Sequence, residues 1–95
     1  MLNLPQIENV IKEVAEEYKV KKVSIFGSYA DGSATDKSDL DLLVEFHTPE
    51  VSLFTIIDFK YSIEDRLNMK VDVVHAPLDK NALIIPKKVV RVYGQ

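Results

Sequence analysis

The chain has 95 residues, 46% hydrophobic and 28% charged, with a formal net charge of −3 and no cysteine. A chain of this length supports one domain with a modest core, burying somewhat over ~60% of its unfolded surface. The net acidity excludes a global basic field for nucleic acid, and the missing cysteines exclude disulfides and thiolate metal sites. The stretch from Met1 to Pro5 has neither a basic n-region nor an apolar h-region, and no apolar run approaches the ~20 residues of a membrane span. The expectation is therefore a single cytoplasmic domain over residues 1–95, away from membranes and small enough to depend on a partner.

From Pro5 to Tyr18 the apolar residues Ile7, Val10, Ile11, Val14 and Tyr18 recur at helical spacing, with Glu8, Glu13, Glu16 and Glu17 on the other faces. Pro5 suits a first helical turn. Val20 to Phe26 is rich in β-formers and reads as a first strand, ended by Gly27-Ser28. Ser28 is placed to cap a short helix through about Asp31. Residues 32–38 form a polar loop. From Asp39 to Phe46 the pattern alternates strictly: Leu40, Leu42, Val44 and Phe46 face a core, while Asp39, Asp41, Leu43 and Glu45 face away. The strand rise puts the Asp39 and Asp41 Cα atoms roughly 6.5–7 Å apart.

A second long helix is expected from about Ser52 to Asn68, with Leu53, Ile56, Ile57, Ile63 and Leu67 as its apolar stripe. Phe54 and Tyr61 lie on a flanking face, either at the core margin or as a partner-binding ridge. Val71 to His75 reads as a third strand, with Asp72 and Val74 on one face. Asp79 or Asn81 would cap a last helix, interrupted by Pro86. Val89, Val90, Val92 and Tyr93 fit a helix or a short strand equally.

Hard divalent cations such as Mg²⁺ are held by one or two carboxylates plus substrate phosphates. Asp39 and Asp41 meet that need, and Asp72 joins them if its strand pairs alongside. Three carboxylates on one sheet face repel one another without a cation. Gly27 lets a backbone approach phosphates, and Ser28 supplies an N–H and a hydroxyl. Each piece alone has a bland reading: a turn, a solvated strand edge, an outward acid. His47 and His75 are expected at the surface, with no zinc pattern around them. Lys21, Lys22 and Lys70 read as solvated lysines or as flanks of the site.

The run from Gly27-Ser28 through ten residues to Asp39-Leu40-Asp41 resembles the signature of the nucleotidyltransferase superfamily that includes polymerase beta. The longer match from Gly27 to Val44 is similar to the minimal nucleotidyltransferases, commonly the antitoxin halves of HEPN–MNT toxin–antitoxin pairs. The resemblance covers nearly the whole chain. It implies an α/β (α+β) nucleotidyltransferase fold, a small mixed sheet flanked by helices, in the order α-β-α-β-α-β-α. It implies Mg²⁺ held by Asp39 and Asp41 with Asp72 assisting the metal and deprotonating the acceptor. Gly27 and Ser28 would bind ATP. The implied reaction transfers AMP to a tyrosine of a cognate HEPN RNase toxin within a hetero-oligomer, without direct binding of nucleic acid. Relatives usually carry arginine where this chain has Asp31, which by electrostatics weakens triphosphate binding unless Asp31 points away or Lys37 compensates. The alternative is a binding-only antitoxin with a degenerate site.

Overall fold

The computed structural model describes residues 3–48, 50–76 and 88–94. Helix α1 (Leu4–Glu17) starts at Asn3, whose Oδ1 accepts from the Gln6 amide at 2.9 Å while the Asn3 amide donates to Gln6 Oε1 at 3.0 Å. This reciprocal pair satisfies two donors that a helix start leaves without partners. The apolar stripe buries Ile7, Ile11, Val14 and Ala15. Strand β1 (Val20–Phe26) leads to the short helix α2 (Ser28–Asp31), and β2 spans Leu40–Phe46. Helix α3 (Leu53–Leu67) is capped by Ser52, whose Oγ accepts from the Phe54 amide, and ends at Asn68 in the left-handed conformation with φ 53°. Strands β3 (Val71–Ala76) and β4 (Val89–Tyr93) complete the described elements.

The four strands form one mixed sheet in the order β3-β2-β1-β4. Strand β1 is antiparallel to both β2 and β4, while β2 and β3 run parallel. A parallel pair needs a crossover, which α3 provides. The alternation expected of β2 holds residue by residue: Leu40, Leu42, Val44 and Phe46 are buried and the residues between them are half-buried. Helices α1 and α3 cover that buried face, with Val23, Ile25 and Val71 beside the β2 residues and Ile7, Ile11, Val14, Phe59 and Ile63 from the helices. Each such side chain removed from water contributes roughly 1.5–3 kcal/mol.

Several readings change. The C-terminal segment, helix or strand on pattern alone, is strand β4; the expected last helix lies in residues outside those described. Gly27, not Ser28, occupies the N-cap of α2, and no side chain caps it. In α3 the stripe is carried by Phe59, Ile63 and Leu67, whereas Leu53 is 70% exposed. Phe54 is 81% exposed and Tyr61 57%, so neither is a core residue. His75 is half-buried, packed edge-on to Phe46 at 5.5 Å, and its Nε2 has no hydrogen-bond partner among the described residues. Among those residues no helix is long and apolar enough to cross a membrane.

Candidate active site

The sheet has a second face that α1 and α3 leave open. Side chains opposite one another in a ladder share a face, so the register defines the rows on it. One row runs Phe26, Asp41, Asp72, since Phe26 pairs with Asp41 and Asp41 with Asp72. The parallel pairing is set where it starts: the Leu40 amide donates to the Lys70 carbonyl at 3.0 Å, and the Val71 amide donates to Glu64 Oε2 at 2.8 Å. Helix α3 thus fixes Val71, which precedes Asp72 and pairs with Leu40, the residue between Asp39 and Asp41. Asp39 lies one residue before β2 and is exposed. The loop leading to it is closed by the Thr35 amide on Ser38 Oγ (2.8 Å) and the Ser38 amide on the Thr35 carbonyl (3.0 Å).

Gly27 follows Phe26 and therefore stands beside Asp41. Its φ of 72° with ψ of −148° belongs to a region that glycine occupies without cost. A Cβ at this position would collide with Asp41 Oδ2. The glycine is thus required twice, by its backbone and by the carboxylate against it. After it, the Ala30 and Asp31 amides bond to the Gly27 carbonyl, and the amides of Gly32, Ser33 and Ala34 all converge on the Ser28 carbonyl at 3.0–3.1 Å. Buried Tyr29 and Ala30 anchor this turn to the core.

The electrostatics show that the acids feel one another. The Asp41 carboxyl titrates above the usual carboxylate range, first because of burial and then through the charges of Asp72 and Asp39. Among the described residues, no three His, Asp or Glu side chains are gathered tightly enough to ligate one ion. The donor set still fits a hard divalent cation, which needs only one or two carboxylates when substrate phosphates supply further oxygens. The raised Asp41 is the sign of a site that gains from positive charge.

Asp31 is engaged locally. Its Oδ1 accepts from the Ser33 hydroxyl at 2.6 Å and the Ser33 amide at 2.9 Å, which hold its carboxyl below the usual range, with Lys88 adding attraction. The lysine whose charge acts on Asp31 is Lys88. Of the lysines read as possible flanks, Lys22 is half-buried on the open face, 3.9 Å from Glu45, and Lys21 and Lys70 are exposed. The pattern of the sequence did not single out Ser24 or Arg91. Arg91 pairs with Ser24 in the β1–β4 ladder, and its Nε donates to Ser24 Oγ at 3.2 Å. The alternation Lys22, Ser24, Phe26 was the available signal, but it needed the ladder to assign its face.

A glycine turn thus stands against an aspartate, in a row that pairs this aspartate with another from a parallel neighbour. The chain belongs to the polymerase beta nucleotidyltransferase family, whose pattern matches residues 8–92. Within that class it is similar to the protein adenylyltransferase MntA of Thermococcus cleftensis, 37% identical over 78 residues that make up 78% of each chain. Its fold is that of a chain in a crystallised toxin–antitoxin complex with AMP-PNP, with a TM-score of 0.79, 21% identity and coverage of 93% of this chain and 73% of the other. It is also similar, with a TM-score of 0.71, to a chain in the complex of a tri-AMPylated Shewanella oneidensis HEPN toxin with its MNT antitoxin. That match is 18% identical and covers 94% of this chain and 71% of the other.

Proposed function

We propose that this chain is the antitoxin of a toxin–antitoxin pair and that it adenylylates its partner, a HEPN RNase toxin, on a tyrosine hydroxyl. The observation that carries the reading is the Phe26–Asp41–Asp72 row with Gly27 packed against Asp41 Oδ2. The adenylyltransferase MntA among its relatives and the AMPylated partner of the second structure support it; the AMP-PNP of the first supports ATP as donor.

Gly27 and Ser28 receive the triphosphate, where the glycine admits close backbone approach and Ser28 offers its amide and hydroxyl. Asp39 and Asp41 hold Mg²⁺, with Asp72 assisting. The cation supplies neutralisation of the phosphate charge and a lowered barrier to ionising the acceptor hydroxyl. The hydroxyl oxygen bonds to the α-phosphorus, the bond from that phosphorus to the bridging oxygen breaks, and pyrophosphate leaves. The hydroxyl proton passes to the Asp72 carboxylate. The partner then carries AMP as a phosphodiester on its tyrosine.

The test is incubation of the chain with labelled ATP, Mg²⁺ and its HEPN toxin partner. Label should reach the partner, and Asp39→Asn or Asp41→Asn should sharply reduce it. Equal transfer by those variants would sink the assignment of the acids. Asp31 favours a second reading, neutralisation by complex formation alone, because it keeps a negative charge beside the phosphate turn. That reading gains if the partner is silenced with no label on it.

A further inference from the structure

The open face continues beyond the row of acids. One level further along the strands the cross-strand neighbours are Arg91, Ser24, Leu43 and Val74, and next come Lys22 and Glu45. Lys22, Ser24, Leu43, Glu45 and Arg91 line a cleft of about 170 Å³. At roughly 30 Å³ per water this is room for five or six waters. It is smaller than the ~300–1,000 Å³ of a site that encloses a whole ligand, so it suits one part of a molecule whose other part is held elsewhere. Leu43 gives it an apolar floor. The bond from Arg91 Nε to Ser24 Oγ ties the guanidinium to the sheet, and the Lys22–Glu45 pair closes the far end.

Which part it receives follows from the direction of the reaction, and so the inference rests on the function proposed above. Pyrophosphate departs toward Gly27 and Ser28 at the end of β1, and the acceptor proton goes to Asp72 on β3. Attacking and leaving oxygens lie roughly in line in phosphoryl transfer, so this line runs across the strands. The nucleoside is attached to the same phosphorus off that line. Along β2 the next residue on the open face after Asp41 is Leu43, about 6.5–7 Å away by strand rise. The cleft also lies over β1, β2 and β4, on the side away from Asp72 and hence away from the acceptor.

We propose that this cleft is the nucleoside subsite and that Leu43 and Arg91 position the base of the nucleotide donor. The base rests on Leu43 and stacks with the planar guanidinium, a contact arginine makes and lysine does not. Ser24 and Glu45 supply oxygen acceptors for donors on the base or ribose. Neither Leu43 nor Arg91 takes part in bond making.

The experiment titrates the full chain with four probes: ATP with Mg²⁺, adenosine, inorganic tripolyphosphate and N-acetyl-tyrosinamide. Calorimetry gives affinities, and the amide signals of Ser24, Leu43 and Gly27 locate each probe. Leu43→Ala is apolar and Arg91→Lys keeps its charge, so neither alters the field on the phosphates. Each should weaken ATP and adenosine about tenfold, at the lower end of what loss of a stacking contact to a base costs, and leave tripolyphosphate unchanged. Equal weakening of tripolyphosphate overturns the proposal, because the effect would then be general. Saturation of the Ser24 and Leu43 signals by N-acetyl-tyrosinamide but not adenosine also overturns it and gives the cleft to the acceptor. If both variants bind and transfer like the wild type, the subsite is wrong while the function stands. If the wild-type chain binds neither ATP nor adenosine, both fall together.

Discussion

Strand β2 presents two faces made from seven consecutive residues. On one, Leu40, Leu42, Val44 and Phe46 meet the long helices and are almost wholly buried; on the other, Asp41, Leu43 and Glu45 are half-buried on the face that α1 and α3 leave open. The covered face is stabilised by removal of apolar surface from water. The open face stores a cost, since Asp41 is partly desolvated beside Asp72 and Asp39. The two sets are interleaved at single-residue spacing, so a one-residue slip of register would exchange them. Stability and chemistry are therefore specified by the same alternation, and substitutions one residue apart should act in opposite directions.

The largest effect on stability is expected from the covered face. Leu42→Ala should cost about 2–5 kcal/mol, a large fraction of what a domain of this size has, and denaturant unfolding should show it as a lower midpoint. Its neighbour should do the reverse. Asp41→Asn should reduce AMP transfer on the order of 10²–10³-fold, as for loss of one preorganised electrostatic group, yet raise the unfolding midpoint without metal. The pH dependence carries the sign. A carboxyl whose folded pKa is raised contributes stability below the ordinary carboxylate range and loses it as pH rises through its folded pKa. The advantage of Asp41→Asn over wild type should thus be absent in strong acid and grow toward neutral pH. An advantage that shrinks with rising pH would mean that Asp41 is stabilised, not strained, in its row.

A smaller effect is expected where the faces are connected. Glu64 reaches from α3 to the Val71 amide. Glu64→Ala should cost about 1–3 kcal/mol, the range for leaving a partly buried donor without its partner. It should also loosen Asp72, one residue away, so transfer should fall more steeply than stability predicts. Comparing rates well below the unfolding midpoint separates the two. The smallest stability effect is expected at Phe54, 81% exposed on α3. Phe54→Ala should leave thermal unfolding within ~0.5 kcal/mol of wild type, while weakening partner binding in a calorimetric titration if the ridge is an interface.

The sequence carried the covered face well. The helical stripe of α1, the alternation of β2 and the limits of α3 are local periodicities, and local periodicity survives without knowledge of neighbours. The signature Gly27-Ser28 with Asp39 and Asp41 was legible for the same reason. What was not legible depended on the ladder. Nothing local says that β4 closes on β1, which is what brings Arg91 to Ser24. Phe59 escaped the apolar stripe because a stripe started at Leu53, which is exposed, does not pass through it, whereas the packed positions Phe59, Ile63 and Leu67 follow a spacing of four. His75 looked like a polar strand end until the sheet placed it against Phe46. Asp31 drew attention as an acid in a phosphate turn, but its partner Ser33 is a feature of turn geometry rather than of pattern.

Strand β3 is the outermost strand on its side of the described sheet. Outer strands invite pairing with other chains, and proteins blunt them with charge. With valine in place of Asp72, the run from Val71 to Val74 would be four consecutive apolar β-formers with no charge, the composition of an aggregation-prone segment. The polar side chain at position 72 therefore has a duty that precedes any encounter with nucleotide: it interrupts an apolar edge. Asp72→Asn should stay monodisperse in light scattering and Asp72→Val should not, although both lose the carboxylate. The residue proposed to take a proton is also the one that breaks this apolar run.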